Sequence, residues 1–145
     1  MTASTQQTED LTSLHTTLID SRNGYEEALK DAGPRGLHGL FSEMIAMRQA
    51  AAVELEPFLR AGGAEPDESG SFMSTVHRSV ISFRSLFNDL DESILPGLID
   101  GERRVLETYD TALASADPAL RSVLERQRGH VERRISEMEA RRPAA

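Results

Sequence analysis

The sequence contains no cysteine. That excludes disulfides, thiolate metal ligands and a cysteine nucleophile, and it fits a reducing compartment. Tryptophan is also absent and tyrosine occurs twice, so aliphatic side chains must build the core. No stretch approaches the roughly 20 apolar residues that cross a bilayer. The first twenty residues lack a basic start followed by an apolar run, so no export signal is expected. The expectation is a cytoplasmic protein with no membrane partner. Positive charge is in deficit, the formal net charge being −8. Phosphate recognition rests on concentrated positive charge, so nucleic-acid binding is not expected. Arg133, Arg134, Arg141 and Arg142 are interleaved with Glu132, Glu137 and Glu139, which is the pattern of a solvated helix face. No segment alternates with period two for long enough to suggest a sheet. No phosphate loop is present, and Gly62-Gly63 reads as a helix stop.

What the chain does have is helical periodicity. Its 145 residues suffice for one domain with a substantial core. Residues 1–8 are small and polar and read as a flexible tail, with a helical domain over 9–140 and a short C-terminal tail over 141–145. Thr8, Glu9 and Asp10 look like a helix start. Leu11, Leu14, Leu18, Arg22, Tyr25 and Leu29 then recur at spacings of three and four, one face of a helix. Gly33-Pro34 ends that helix and opens the next. The second helix carries Leu37, Phe41, Met44, Arg48, Ala51, Leu55 and Phe58 on one face. A polar loop leads to a shorter amphipathic segment with Phe72, Val76, Val80, Phe83 and Phe87, and Asn88 to Asp91 marks a second break. The third main helix presents Leu95, Leu98, Glu102, Val105, Tyr109 and Ala112, with Pro96 in its first turns. Asp117-Pro118 is a cap followed by a first-turn proline, and opens a fourth helix bearing Leu120, Val123, Leu124, Gln127, Val131 and Met138. The fold class is all-α. Tight joints within each pair and a long connection between them predict two antiparallel hairpins joined by a crossover, the ferritin-like four-helix bundle.

Each main helix has a polar residue in its apolar seam: Arg22, Arg48, Glu102 and Gln127, with His130 one turn after the last. At similar heights these would meet in one layer, where desolvation demands pairing or a metal. An internal echo supports this. Leu18-Ile19-Asp20-Ser21-Arg22 matches Leu98-Ile99-Asp100-Gly101-Glu102, and in nearly the same offset Arg48 falls on Gln127. Tyr25 and Tyr109 come near this layer, where they could donate hydrogen bonds to Glu102 or pack with their hydroxyls at the surface, packing being the expected role. His15 and His38 are expected near exposed faces.

Gly24-Tyr25, Gly70-Ser71, His77-Arg78, Asp91 through Ile94-Leu95, Gly101-Glu102 and Arg126-Gln127 carry a resemblance. Over roughly residues 10 to 138 the chain resembles an uncharacterised bacterial family of ferritin-like domains of unknown function, distantly similar to ferritin and rubrerythrin. Ferritin-like carboxylate bundles hold two metals with a Glu on each of two helices and a Glu-x-x-His on each of the others. Carried across, the first position holds Arg22 and the second Arg48-Gln49-Ala50-Ala51. The third keeps Glu102, and the fourth offers Gln127-Arg128-Gly129-His130. Only Glu102 and His130 match, and no Glu-x-x-His occurs anywhere. The expectation is therefore a degenerate metal site, with no cofactor and no catalytic residue. Arginines in place of carboxylates suggest an ion-pair layer of Arg22, Arg48 and Glu102, completed by Gln127 and His130. The expected function is non-catalytic, a structural or stress-associated interaction role. One alternative is an iron- or manganese-binding oxidoreductase or iron-handling protein using Glu102 and His130 with Glu26, Glu27, Glu43 or Glu54. Another is an interaction scaffold presenting the crossover helix. A homodimer is compatible with the sequence, which fixes no interface.

Overall fold

The computed structural model describes residues 4–31, 37–69 and 94–141. Within them the chain is all-α, with four helices: α1 (Thr5–Asp31), α2 (Leu37–Ala61), α3 (Leu95–Ser115) and α4 (Pro118–Arg141). The expected amphipathic crossover segment, including His77-Arg78, lies outside the described residues, as do the break at Asn88 to Asp91 and the Gly33-Pro34 turn. One core draws on every helix, through Leu14, Leu18, Phe41, Met44, Leu55, Leu98, Val105, Leu124 and Val131 among others. Among the described residues, no helix is long and apolar enough to cross a membrane.

Contacts between neighbouring helices run in opposite residue order. Between α1 and α2, His15 meets Glu56, Arg22 meets Gln49, and the ring of Tyr25 meets that of Phe41. Between α3 and α4, Arg103 meets Glu139, Tyr109 meets Gln127 and Asp110 meets Arg128. Helix α1 also packs on α3, with Asp10 at Ser115 and Tyr25 at Glu102.

Helix α1 starts at Thr5, a turn before the Thr8 start that the acidic residues suggested. The Ser4 hydroxyl accepts from the Gln7 backbone N–H at 3.0 Å, the bond a cap residue makes to one of the orphan donors of a first turn. Gln7 is itself buried and reaches the α3–α4 turn. Its Oε1 accepts from the Asp117 backbone N–H at 2.7 Å, and Ser115 Oγ donates to Asp10 Oδ2 at 2.7 Å. Asp117 is the cap that the sequence suggested, its Oδ1 accepting from the Leu120 N–H at 2.9 Å. Pro96 sits in the first turn of α3.

The end of α2 is a Schellman motif. Ala64 N–H returns to the Leu59 carbonyl at 2.9 Å and Gly63 N–H to that of Arg60 at 3.0 Å, around Gly63 at φ 85°. That conformation costs an L side chain of the order of 1–2 kcal/mol. Gly63→Ala should therefore lower the unfolding free energy by about 1 kcal/mol. Gly129, exposed in mid-helix with nothing within 4 Å of an added Cβ, should respond in the opposite sense. Gly129→Ala should raise it by about 0.5–1 kcal/mol. Urea unfolding of the two variants beside wild type checks both signs.

Candidate functional site

The seam of α2 runs Met44, Arg48, Ala51, Leu55, and all four are buried. Arg48 is only 1% exposed, so its guanidinium is as deep as the leucines around it. Helix α3 brings Glu102, 2% exposed, to meet it. Burying either charge alone would be prohibitive, and only pairing with completed hydrogen bonds makes the arrangement tenable. Both conditions are met. Arg48 Nη2 donates to Glu102 Oε1, and Arg48 Nε donates to Ser21 Oγ at 3.0 Å. The second carboxylate oxygen, Oε2, accepts from the Tyr25 hydroxyl at 2.8 Å. Three helices thus converge on one ion pair.

A second polar group lies beside the first. Gln127 of α4, 3% exposed, accepts the Tyr109 hydroxyl at its Oε1 at 2.8 Å. Its Nε2 donates to Glu54 Oε1 at 2.7 Å and to the Ala51 carbonyl at 3.3 Å. Glu54 also pairs with Arg126. Among the described residues no buried side-chain nitrogen or oxygen lacks a partner.

Of the five residues that the sequence suggested for this layer, Arg48 and Glu102 bond directly. Gln127 is buried in the adjacent group. Arg22 is turned toward the outside. It donates to Gln49 Oε1 at 2.5 Å and to the Glu68 carbonyl at 3.2 Å, and it lies 3.7 Å from Glu26. His130 is exposed, at the edge of an open groove of about 820 Å³ between α2 and α4. Ser21, Tyr25, Tyr109 and Glu54 complete the bonding instead. The two tyrosines do more than pack: both are buried, with hydroxyls donated inward. The signal for them was present, since each lies on the same helix face as a polar seam residue. His15 also differs from expectation. It is 2% exposed and faces Glu56 at 3.4 Å, because the 3.6-residue turn carries the α1 seam across positions 14, 15, 18 and 19.

The family pattern described as a domain of unknown function, DUF2383, matches residues 6–115. The chain belongs to that family. The match covers Ser21, Tyr25, Arg48, Glu54, Glu102 and Tyr109, and stops where α3 ends. Gln127 therefore lies beyond the DUF2383 match. No curated protein matches the chain.

A dinuclear metal centre would need carboxylates free to coordinate. In this DUF2383 chain both Glu102 oxygens are taken, one by a guanidinium and one by a phenol. Among the described residues no three His, Asp or Glu side chains are placed to hold a metal. The other carboxylates considered also face cations: Glu26 faces Arg22, Glu27 faces Lys30, Glu43 faces Arg134 and Glu54 faces Arg126. Among the described residues, the donors around Glu102 do not fit such a centre.

Burial, then the charge of Glu102, holds the Tyr25 phenol well above its ordinary value, and burial does the same to Tyr109. Burial alone would lower the pKa of Arg48, but Glu102 and the two phenols outweigh it and raise it. Both tyrosines have folded-state values above the unfolded value near 10. Their contribution to stability is therefore complete below about pH 10 and is lost as pH rises through the folded values. With no cysteine and a single lysine, Lys30, little else titrates there. Tyrosinate absorbance in an alkaline titration should appear together with loss of helix signal rather than before it. Tyr25→Phe should lower stability at pH 7 by about 1.5–3 kcal/mol, since a bond to a buried carboxylate is lost, and should flatten the fall above pH 10.

Proposed function

We propose that this chain is a ferritin-like four-helix bundle in which an internal ion pair stands in place of a dinuclear metal centre. Its role is structural or one of stress-associated interaction in a bacterial cytoplasm, not catalysis. The observation that carries this is the Arg48 guanidinium seated on Glu102. A metal balances carboxylate charge and leaves open coordination positions for chemistry. A guanidinium balances the same charge and offers none, because it has donors only, here directed to Glu102 and Ser21. The layer so formed fixes the relative heights of α1, α2 and α3, the register role best attested for buried polar groups.

Chain direction supports the bundle topology. The α2–α4 ion pairs, Glu43 with Arg134 and Glu54 with Arg126, run in opposite residue order, as do the α1–α2, α3–α4 and α1–α3 contacts. Helices α2 and α3 then point the same way, and the chain between them must return along the length of the bundle. A connection of that kind joins two antiparallel hairpins in ferritin-like folds.

The test is metal content per chain in untagged protein from cells supplemented with iron and manganese, with thermal unfolding before and after chelation. Metal far below one per chain and an unchanged midpoint are expected. Near-stoichiometric metal that is lost on Glu102→Ala would overturn the proposal. Arg48→Ala should cost about 3–5 kcal/mol by stranding a buried carboxylate. The double change Arg48→Met with Glu102→Leu should recover most of that loss, which denaturant unfolding reads directly.

A further inference from the structure

The exposed face of α2 differs from those of its neighbours. Its outermost positions are Glu43, Ala46, Ala50, Val53, Pro57 and Arg60, all exposed. Helix α3 exposes charge on successive turns through Asp100, Arg103, Glu107 and Asp110, whereas four consecutive outward positions of α2 carry none. Val53, 46% exposed, is the large hydrophobic residue left in solvent among the described residues. The spacing along this face is three, four, three, four, three, the heptad spacing of a helix seam that expects a partner helix. Gln49 and Glu56 turn toward α1, and Glu54 toward α4. The seam between them points directly away from the core.

The order of residues within the seam specifies the partner. Turned end for end about a two-fold axis beside Ala51 and Ala52, the seam meets itself in register. Ala50 faces Val53 of the partner subunit, Ala46 faces Pro57 of the partner subunit, and Glu43 faces Arg60 of the partner subunit. The uncharged positions coincide and the terminal charges are opposite in sign. Both terminal side chains are 57% exposed, beside Arg134 at 3.0 Å and Glu56 at 3.8 Å respectively, and either can bridge to a further charge. An isologous contact requires such self-complementarity. Alanines at the centre let two helices approach to about 8 Å. The chain leaving α2 passes on the other flank, where the Glu68 carbonyl accepts from Arg22 of α1. We propose that this face of α2 is a homodimer interface, with two copies of α2 packed antiparallel across a two-fold axis. The proposal does not depend on what the polar layer does.

The wild-type chain should sediment as a dimer that dissociates on dilution. Val53→Glu should raise the dissociation constant about tenfold or more, with helix content and thermal midpoint of the diluted monomer unchanged. Glu43→Arg and Arg60→Glu should each weaken the dimer, and the two together should restore it, which no other register predicts. The absence of cysteine permits a second readout. Ala50→Cys with Val53→Cys should cross-link into a covalent dimer under mild oxidation, while Thr111→Cys on the exposed face of α3 should not. A monomer at high micromolar concentration would overturn the proposal, as would a dimer indifferent to Val53→Glu and to the charge exchange. Resistance of both cysteines to thiol reagents in a monomer would identify residues 70–93 as the cover, and would overturn it equally.

Discussion

The ion pair between Arg48 and Glu102 is the constraint around which the other helices are arranged. Two full charges at 1% and 2% exposure leave the chain little choice in how the helices are set. If α2 slides by a turn against α3, a guanidinium and a carboxylate are each left in apolar surroundings, at a cost of several kcal/mol apiece. Aliphatic seams alone tolerate such slips, because one leucine replaces another with modest loss. The pair converts a forgiving core into one with a single low-energy alignment. Ser21 and Tyr25 extend that alignment to α1. Gln127, bonded to Tyr109 and to the α2 backbone at Ala51, extends it to α4.

The polar layer has two halves of different character. Around Glu102 the groups are charged and buried, Glu102 at 2% and Arg48 at 1% exposure. Around Gln127 they lead outward through Glu54 and Arg126 to the surface, beside the groove where α2 and α4 part. A neutral amide at the junction fits this gradient, since its oxygen and nitrogen can serve a phenol and a carboxylate without adding net charge. Among the described residues every buried side-chain nitrogen and oxygen finds a partner, so the layer meets the cost of burying polar groups within the chain itself.

The helices and most of the core could be read from spacing, because leucines at three and four admit few interpretations over 20 or more residues. Arg48 and Glu102 were legible for the same reason: each interrupts a seam that is apolar on both sides. Ambiguity entered where two adjacent positions could both continue a seam. After Leu18, Ser21 and Arg22 are both half-buried, but Ser21 meets Arg48 whereas Arg22 bonds to Gln49. After Gln127 the core takes Val131 and leaves His130 in solvent. A period of 3.6 drifts across a spacing of seven, and only the neighbouring helix decides which position faces inward. Arg48 needs a small hydroxyl beside it, and Ser21 provides one. Gln7 was hidden by composition. A run of small polar residues resembles a tail until a distant turn, at Asp117, provides a partner for it.

That last contact bears on how the chain comes into being. Gln7 and Asp10 are held by Asp117 and Ser115, more than a hundred residues downstream. On a ribosome the opening turn of α1 emerges well before its fastening, which is made only when α2, α3 and the turn after α3 have followed it. Helices α1 and α2 can pair early through contacts close in sequence, whereas the seal at that end waits for residues 115–117. Contacts so distant in sequence are slow to form. Synthesis of α3 and the turn after it, rather than of α1 itself, therefore locks the first helix into place.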